Sequence, residues 1–168
     1  MSTDKQLLEN KAVTWLDLAI PLVARFEGFE KKRKDGLLHP YLDRLAKPHV
    51  WTRGAGRTYS ISENSSPITV EEAKKELGEG LQVYAAKCLI LCPILATRPY
   101  CFAAVVSWAW NCGVGMLKVS RLRKAINRRD WETASQRILK PDTAGGVVYR
   151  GLTRRREAER AMFLKGII

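Results

Sequence analysis

The stretch from residue 99 to residue 111 constrains the fold most, because nearly every side chain in it is apolar. Pro99 opens it, Gly113 follows its end, and the residues between include Phe102, Ala103, Val105, Val106, Trp108, Ala109 and Trp110. Proline suits a first helical turn and glycine suits a helix end, so the pattern predicts a helix over 99–111. A helix that is apolar on every face must be enclosed by other elements. The remaining residues therefore have to cover it.

A long helix is predicted immediately before this central one. It runs from about residue 70 to residue 91, and Thr69 with Glu72 forms a capping box at its start. Gly78 and Gly80 leave room for a break within it, and Pro93 follows its end.

Three more helices are predicted after the central one. Two short helices cover about 120–128 and 130–139, with Asp130 as the N-cap of the second. A loop over 142–146 contains Gly145 and Gly146, and a basic helix covers 151–165.

The N-terminal part has a different pattern. Apolar residues recur at helical spacing over 13–26, but Pro21 is awkward inside a helix, so we expect one helix near 12–19 and another that starts close to Pro21 and ends at Glu27-Gly28. Residues 37–62 lack helical periodicity and indicate a small antiparallel sheet.

The predicted architecture is α+β and mostly α-helical, in one domain over 1–168. A small N-terminal lobe, about 22–69, contains a β-hairpin, and a larger helical C-terminal lobe covers about 70–168. A cleft is expected between them. The chain of 168 residues is long enough to bury a sizeable core.

The charge of the chain favours a polyanionic partner. The sequence has 29 Lys and Arg against 17 Asp and Glu, a net charge of +12. Nucleic acid, an anionic membrane face and an anionic wall polymer all fit that charge. The basic run over 154–160 fits either contact with an anionic polymer or membrane, or a solvated helix face with internal ion pairs. No nucleic-acid recognition motif is present, and the basic residues are spread along the chain rather than gathered on one element.

Neither the cysteines nor the start of the sequence indicates a specific function. Cys88, Cys92, Cys101 and Cys112 lie among apolar neighbours in helical sequence, far from both histidines, which predicts buried free thiols and no metal site. No secretory signal opens the sequence, and no apolar run approaches the roughly 20 residues of a membrane span. We expect the protein to accumulate in the cytoplasm that makes it.

Two acids and a hydroxyl form the candidate catalytic set. Glu27 lies at a helix end between Phe26 and Phe29, where desolvation would favour the protonated form that a general acid needs. Asp43 and Thr52 lie on the predicted sheet and could orient water, although each also fits an ordinary turn or strand position. No dinucleotide fingerprint, P-loop, nucleophile elbow or histidine-rich metal motif is present.

Several ordered motifs resemble the phage-type lysozymes, the endolysin muramidases of glycoside hydrolase family 24, over about residues 22–164. The matching segments are Glu27-Gly28, Tyr41-Leu42-Asp43, Trp51-Thr52-Arg53-Gly54-Ala55-Gly56, Trp110-Asn111-Cys112-Gly113-Val114-Gly115, Ala144-Gly145-Gly146 and Gly151 to Arg160.

The resemblance implies hydrolysis of the β-1,4 bond between N-acetylmuramic acid and N-acetylglucosamine in peptidoglycan, without a cofactor or metal. Glu27 would be the general acid, Asp43 and Thr52 would position and activate water with inversion, and Trp110 and Ser120 would contact the sugar chain. A phage or prophage origin is also implied, with retention in the host cytoplasm until a holin releases the protein to the periplasm. We expect a monomer, whose partner is the glycan strand and whose basic C-terminal helix contacts the anionic envelope.

Three departures from the family pattern matter, and three alternatives stay open. The spacings from Glu27 to Asp43 and from Asp43 to Thr52 are longer than usual, which makes Asp35 a rival for the second acid. Arg57 replaces a common histidine at a position regarded as structural. The alternatives are a lytic transglycosylase, which needs only Glu27, an inactive wall-binding relative and a nucleic-acid-binding protein.

Overall fold

The computed structural model describes residues 13–27, 33–44, 48–144 and 147–167. In chain order its elements are helix α1 (Trp15–Ala24), strands β1 (Tyr41–Asp43) and β2 (Val50–Thr52), helix α2 (Val70–Leu91), a 3-10 turn (Pro93–Thr97), helices α3 (Pro99–Cys112), α4 (Val114–Val119), α5 (Arg121–Asn127) and α6 (Trp131–Ile138), strands β3 (Thr143–Ala144) and β4 (Val147–Val148), and helix α7 (Arg150–Leu164). The predicted fold class, α+β and mostly α-helical, is confirmed.

Helix α3 lies at the centre of the fold, as its apolar sequence predicts. Every residue from Cys101 to Ala109 is buried. Helices α1, α2, α4 and α7 pack against it. The indole N–H of Trp108 donates a hydrogen bond to the carbonyl of Lys140 at 2.9 Å, so this buried polar group has a partner.

Helix α1 corrects the prediction of two short helices, because it continues through Pro21. Its start is fixed by a capping box in which Thr14 Oγ1 accepts a hydrogen bond from the Asp17 amide at 3.2 Å. An interior proline costs about 3 kcal/mol. Burial of Leu22 and Val23 contributes about 1.5–3 kcal/mol each and offsets that cost.

Helix α2 has the predicted bounds and the predicted capping box, with Thr69 Oγ1 accepting from the Glu72 amide at 3.1 Å. It has no break at Gly78 or Gly80. A Cβ at Gly80 would lie 3.0 Å from the ring of Trp110, so glycine allows that ring to pack directly on the helix.

The predicted antiparallel sheet is confirmed as the pair β1–β2. Tyr41 lies opposite Thr52, and Asp43 lies opposite Val50. Opposed residues point to the same face, and so do residues two apart on one strand. Tyr41, Asp43 and Thr52 therefore share a face of the hairpin.

Two regions contain elements that were not predicted. Helix α4 follows Gly113 directly, and strands β3 and β4 form a hairpin where the sequence predicted only a loop. The N-cap role of Asp130 is confirmed, since its carboxylate accepts from the Thr133 amide at 3.1 Å. Gly28, Gly145 and Gly146 lie outside the described residues.

The cysteines are free thiols, as predicted. Cys88, Cys92 and Cys101 are buried, whereas Cys112 is only half-buried. Burial raises the pKa of the Cys88 thiol to about 12. None of the helices in the described residues is long and apolar enough to cross a membrane.

Candidate active site

Glu27 lies in the turn that follows α1, where its amide hydrogen-bonds to the carbonyl of Ala24 at 3.3 Å. Its side chain is 21% exposed, and its Oε1 accepts a hydrogen bond from Arg155 Nη1 at 2.8 Å. The guanidinium of Arg155 also lies 5.6 Å from the centre of the Phe26 ring. The acid is therefore fixed from α7, at the far end of the chain. Phe29, its other expected aromatic neighbour, lies outside the described residues.

Arg155 is a site residue that the sequence alone did not identify. Its side chain is only 4% exposed, and each of its three nitrogens has an acceptor. Nη1 contacts Glu27, Nε donates to Glu159 Oε1 at 3.2 Å, and Nη2 donates to the carbonyl of Ser107 at 3.3 Å. The only signal in the sequence was the spacing of Arg155 and Glu159, four residues apart on a helix.

Glu159 is the centre of a network that we call the buried charge cluster, formed by Arg155, Arg156, Glu159, Ser107 and Asn111. Arg156 Nη1 donates to Glu159 Oε2 at 2.6 Å, and Ser107 Oγ donates to Glu159 Oε1 at 2.7 Å. Arg156 Nη2 also donates to Asn111 Oδ1. Burial raises the pKa of Glu159, while the two guanidinium groups and the serine hydroxyl oppose that rise.

For two of its residues this cluster corrects both interpretations of the basic run over 154–160, although the ion pairs expected within the run are present. Arg155 and Arg156 are buried and paired, so they belong neither to a solvated helix face nor to a surface that an anionic polymer could reach.

The hairpin brings Asp43 and Thr52 next to Tyr41. The pKa of Tyr41 is raised mainly by burial, and also by the negative charges of Asp43 and Glu27. Asp43 shares a hairpin face with this phenol group, and the charge of Glu27 also acts on it. Thr52 is 2% exposed, and its hydroxyl makes a long 3.5 Å hydrogen bond to the carbonyl of Val50.

Asp35, the rival second acid, is engaged in its own turn. Its Oδ1 accepts from the Leu37 amide at 2.9 Å, and its Oδ2 lies 2.6 Å from His39 Nε2. The amide of Leu37, followed by the ring of His39, lowers the pKa of Asp35.

A cavity of about 440 Å³ adjoins Glu27. Its other lining residues are Phe26, Asn111, Tyr149, Gly151, Leu152 and Arg155. Small-molecule sites occupy about 300–1,000 Å³, so the space can admit one or two sugar rings. Asn111 and Tyr149 line this space without having been predicted as site residues, and Asn111 links it to the buried charge cluster.

Trp110 and Ser120 lie in other concavities than Glu27. Trp110 packs on Tyr84 with ring centres 5.0 Å apart, and it lines a cavity of about 510 Å³ with Thr58 and Tyr59. Ser120 caps α5, because its Oγ accepts from the Arg123 amide at 3.0 Å and donates to the Leu117 carbonyl at 2.8 Å.

Arg57 connects the hairpin to α2. Its Nη1 lies 2.7 Å from Glu76 Oε1, and Arg53 Nη2 lies 2.9 Å from the same oxygen. In the described parts of the chain, no group of three or more His, Cys, Asp or Glu side chains is arranged to hold a metal ion.

Comparisons with known proteins agree on one family. The phage lysozyme family model matches residues 24–159. An endolysin of Bacillus phage B103 is 33% identical over 147 residues, which are 88% of this chain and 52% of that protein. A SAR-endolysin of Enterobacteria phage P21 is 31% identical over 129 residues, 76% of this chain and 74% of that one.

A solved structure of a mutant of P22 lysozyme superposes with a TM-score of 0.74 at 25% identity, covering 91% of this chain and 99% of that one. The muramidase domain of SpmX from Asticaccaulis excentricus gives a TM-score of 0.72, also at 25% identity, and covers 88% and 95% of the two chains. The chain spans about half the length of the two Bacillus phage endolysins that it matches. Because the family model covers most of the chain and the fold agrees, the chain belongs to the phage lysozyme family.

Proposed function

We propose that this chain is the catalytic domain of a phage or prophage endolysin that hydrolyses the β-1,4 bond between N-acetylmuramic acid and N-acetylglucosamine in peptidoglycan. The observation that carries the proposal is Glu27 held by Arg155 at the edge of a cavity, with a charge that acts on Tyr41, the hairpin residue that shares a face with Asp43. Two carboxyl groups on either side of a glycosidic bond are what most glycoside hydrolases require.

In this mechanism Glu27 donates its proton to the glycosidic oxygen as the bond to the sugar carbon breaks. The Arg155 guanidinium keeps the carboxyl in one orientation and stabilises the carboxylate that remains. Asp43 accepts a proton from the attacking water, and Thr52 holds that water in line from the same face of the hairpin. Water adds on the opposite side of the sugar, so the product has inverted configuration.

The remaining site assignments are part of the same proposal. Asp43 is preferred to Asp35 as the second acid, because it shares a hairpin face with Thr52, whereas Asp35 is held in its own turn by Leu37 and His39. Trp110 and Ser120 contact sugars farther along the strand, in the cavities that they line.

The cellular setting follows from this function. The endolysin stays in the host cytoplasm until a holin lets it reach the periplasm, and it works as a monomer and a single catalytic unit. Contact between α7 and the anionic envelope is limited to exposed residues such as Arg150 and Arg154, since Arg155 and Arg156 are buried.

Glu27→Gln is the direct test. We expect it to reduce the rate of clearing of outer-membrane-stripped Gram-negative cells at least about a hundredfold, the usual effect of losing a general acid. Glu157→Gln, an isosteric change of an exposed acid on α7, is the matched control and should clear at the wild-type rate. Equal lysis by wild type and Glu27→Gln would refute the assignment of the acid.

Product mass separates hydrolysis from the lytic transglycosylase alternative. Hydrolysis adds one water to each cleaved glycan, whereas a transglycosylase leaves an anhydro end. Fragments from purified sacculi that lack the added water would replace the present proposal with the transglycosylase. Loss of cleavage in Asp43→Asn with retention in Asp35→Asn would support the choice of second acid, and the reverse result would overturn it.

A further inference from the structure

A concavity of about 340 Å³ between α5 and α6 is lined mainly by basic side chains. We call it the cationic depression and define it by Arg121, Lys124, Arg128 and Arg137. The first three lie at positions i, i+3 and i+7 of the sequence, so they follow one face of α5 and its end, and Arg137 faces them from α6. All four are exposed.

The segment around α5 is the most basic part of the chain, which corrects the expectation that the basic residues are spread rather than gathered on one element. Residues 116–129 contain no Asp or Glu. They contain six basic residues, which are Lys118, Arg121, Arg123, Lys124, Arg128 and Arg129.

The charges of the cationic depression are not neutralised by neighbouring acids. Within the described residues, no carboxylate oxygen lies within 4.0 Å of the charged atoms of these four side chains. Asp130 is the one acid in the lining, and its carboxylate accepts a hydrogen bond from the Thr133 amide. Four positive charges and one negative charge leave a net charge of 4 − 1 = +3.

The polarity and positive charge of this lining determine which class of ligand the depression can bind. Apolar ligands are bound in pockets with predominantly apolar walls, which this concavity lacks. Several guanidinium groups around one space match the oxygen atoms of phosphate, since arginine donates two hydrogen bonds in a planar fork. A bound phosphate group would also relieve the mutual repulsion of the four cations.

Exposed aliphatic side chains next to the depression indicate which phosphate-bearing partner it fits. On α4, Val119 is 71% exposed and Met116 is 48% exposed. Met116 lines a second cavity together with Arg121 and Arg137, so the apolar and cationic surfaces are continuous. Basic residues beside exposed aliphatic ones are typical of proteins that lie on an anionic bilayer, whereas duplex nucleic acid offers no apolar layer for Val119 to enter.

We propose that the cationic depression, together with the exposed side of α4, binds the phosphate groups of an anionic phospholipid surface. This surface is separate from the contact proposed for α7. The cavity that Met116 lines also includes Ser120, whereas the cationic depression does not, and binding of the phosphate groups does not depend on Glu27 or on cleavage of peptidoglycan.

Vesicle co-sedimentation tests the proposal with two variants of equal net charge. The first carries Arg121→Gln, Lys124→Gln, Arg128→Gln and Arg137→Gln. The control carries four glutamine substitutions at exposed lysines elsewhere, which are Lys74, Lys75, Lys87 and Lys165. Each variant has a net charge of 12 − 4 = +8.

We expect wild type to bind vesicles that contain phosphatidylglycerol and not vesicles of phosphatidylcholine alone. Each basic residue near an anionic surface changes partitioning about fivefold, so the first variant should lose on the order of 10²–10³-fold. The control should lose less than about fivefold, because its four lysines lie outside the cationic depression. Thermal melts of both variants establish that any loss of binding is not loss of the fold.

Three results would overturn the proposal. Equal losses in the two variants would mean that only the overall charge matters. No binding of wild type to phosphatidylglycerol vesicles would exclude the site. Tighter binding to a duplex DNA fragment than to these vesicles at the same salt would assign the surface to nucleic acid. Val119→Ser sharpens the last distinction, because it should weaken vesicle binding several-fold without changing binding to DNA.

Discussion

Arginine residues have different surroundings in the buried charge cluster of α7 and in the cationic depression of α5 and α6. In the cluster, Arg155 and Arg156 share the carboxylate of Glu159, and their hydrogen bonds extend to Ser107 and Asn111. In the depression, Arg121 and Arg137 are exposed and have no carboxylate within 4.0 Å among the described residues.

The comparison shows that burial and partners, rather than residue type, decide what a basic run does. A buried guanidinium must be paired, because removing a charge from water is costly, and its position is then fixed. An exposed cluster costs little to solvate and keeps its charge available to a partner in solution. Arg155 can therefore orient Glu27, whereas the depression is suited to binding an anion.

Removal of Glu159 should produce the largest effect. Glu159→Ala would leave the buried guanidinium of Arg156 without a carboxylate and that of Arg155 with only Glu27, and breaking a buried pair in this way costs about 3–5 kcal/mol. For a chain of this size, each 1 kcal/mol lowers the melting temperature by about 2–4 °C, so we expect a fall of roughly 6–20 °C. Thermal unfolding followed by circular dichroism measures it.

Glu157→Ala provides the matched control, since Glu157 is exposed on the same helix. Its free energy of unfolding should change by no more than about 0.5 kcal/mol. A fall in melting temperature as small for Glu159→Ala as for Glu157→Ala would mean that the cluster does not need its central carboxylate.

Arg155→Gln should have the next largest effect, on catalysis. The change removes the group that fixes Glu27, and loss of orientation of a catalytic group costs about a hundredfold in rate. The loss of rate is measured from the clearing of outer-membrane-stripped cells, at a temperature well below the melting temperature of the variant. Lys165→Gln removes one exposed positive charge just beyond the same helix and should leave that rate unchanged. A wild-type rate for Arg155→Gln would separate the cluster from the active site.

A change of ionic strength should affect the cationic depression and the buried charge cluster differently. This effect should be smaller than those of the two substitutions above. Raising the salt concentration from about 0.05 M to about 0.5 M shortens the screening length well below 10 Å, so vesicle binding by the depression should fall about tenfold or more. Screening barely reaches buried pairs. The difference in melting temperature between wild type and Glu159→Ala should therefore stay within about 2 °C over the same range. If this difference in melting temperature decreased with rising salt as vesicle binding does, water and ions would have to reach the buried charge cluster.

Regular elements with strong local signals could be predicted from the sequence. Helix α3 follows from its apolar residues, and α2 from the Thr69–Glu72 capping box. Pro21 misled the prediction of α1, because the local penalty of proline is offset by burial of Leu22 and Val23, which depends on the tertiary fold. Gly80 also suggested a helix break that is absent. Glycine is needed there because the ring of Trp110 packs on it, and that contact depends on the tertiary fold.

The candidate site was only partly predictable for the same physical reason. Glu27 and Asp43 are recognisable by their own neighbours in the chain, although their catalytic roles stay predictions. The bond from Arg155 to Glu27 joins residues 128 positions apart, and no local pattern encodes such a pair. The burial of Arg156 also results from tertiary packing. The sequence alone therefore made this buried, paired residue look like part of an exposed basic run.

A single substitution in the depression should have the smallest effect and is the finest test of the comparison. Lys124→Gln removes one of four like charges around the concavity, so partitioning onto phosphatidylglycerol vesicles should fall about fivefold. Because Lys124 is exposed and has no carboxylate within 4.0 Å among the described residues, the melting temperature should stay constant or rise slightly as repulsion is relieved. A clear fall in melting temperature would mean that Lys124 stabilises the fold through a partner, as Arg156 does. Lys124 would then be a paired residue, and the distinction between paired basic residues in the cluster and unpaired ones in the depression would not hold.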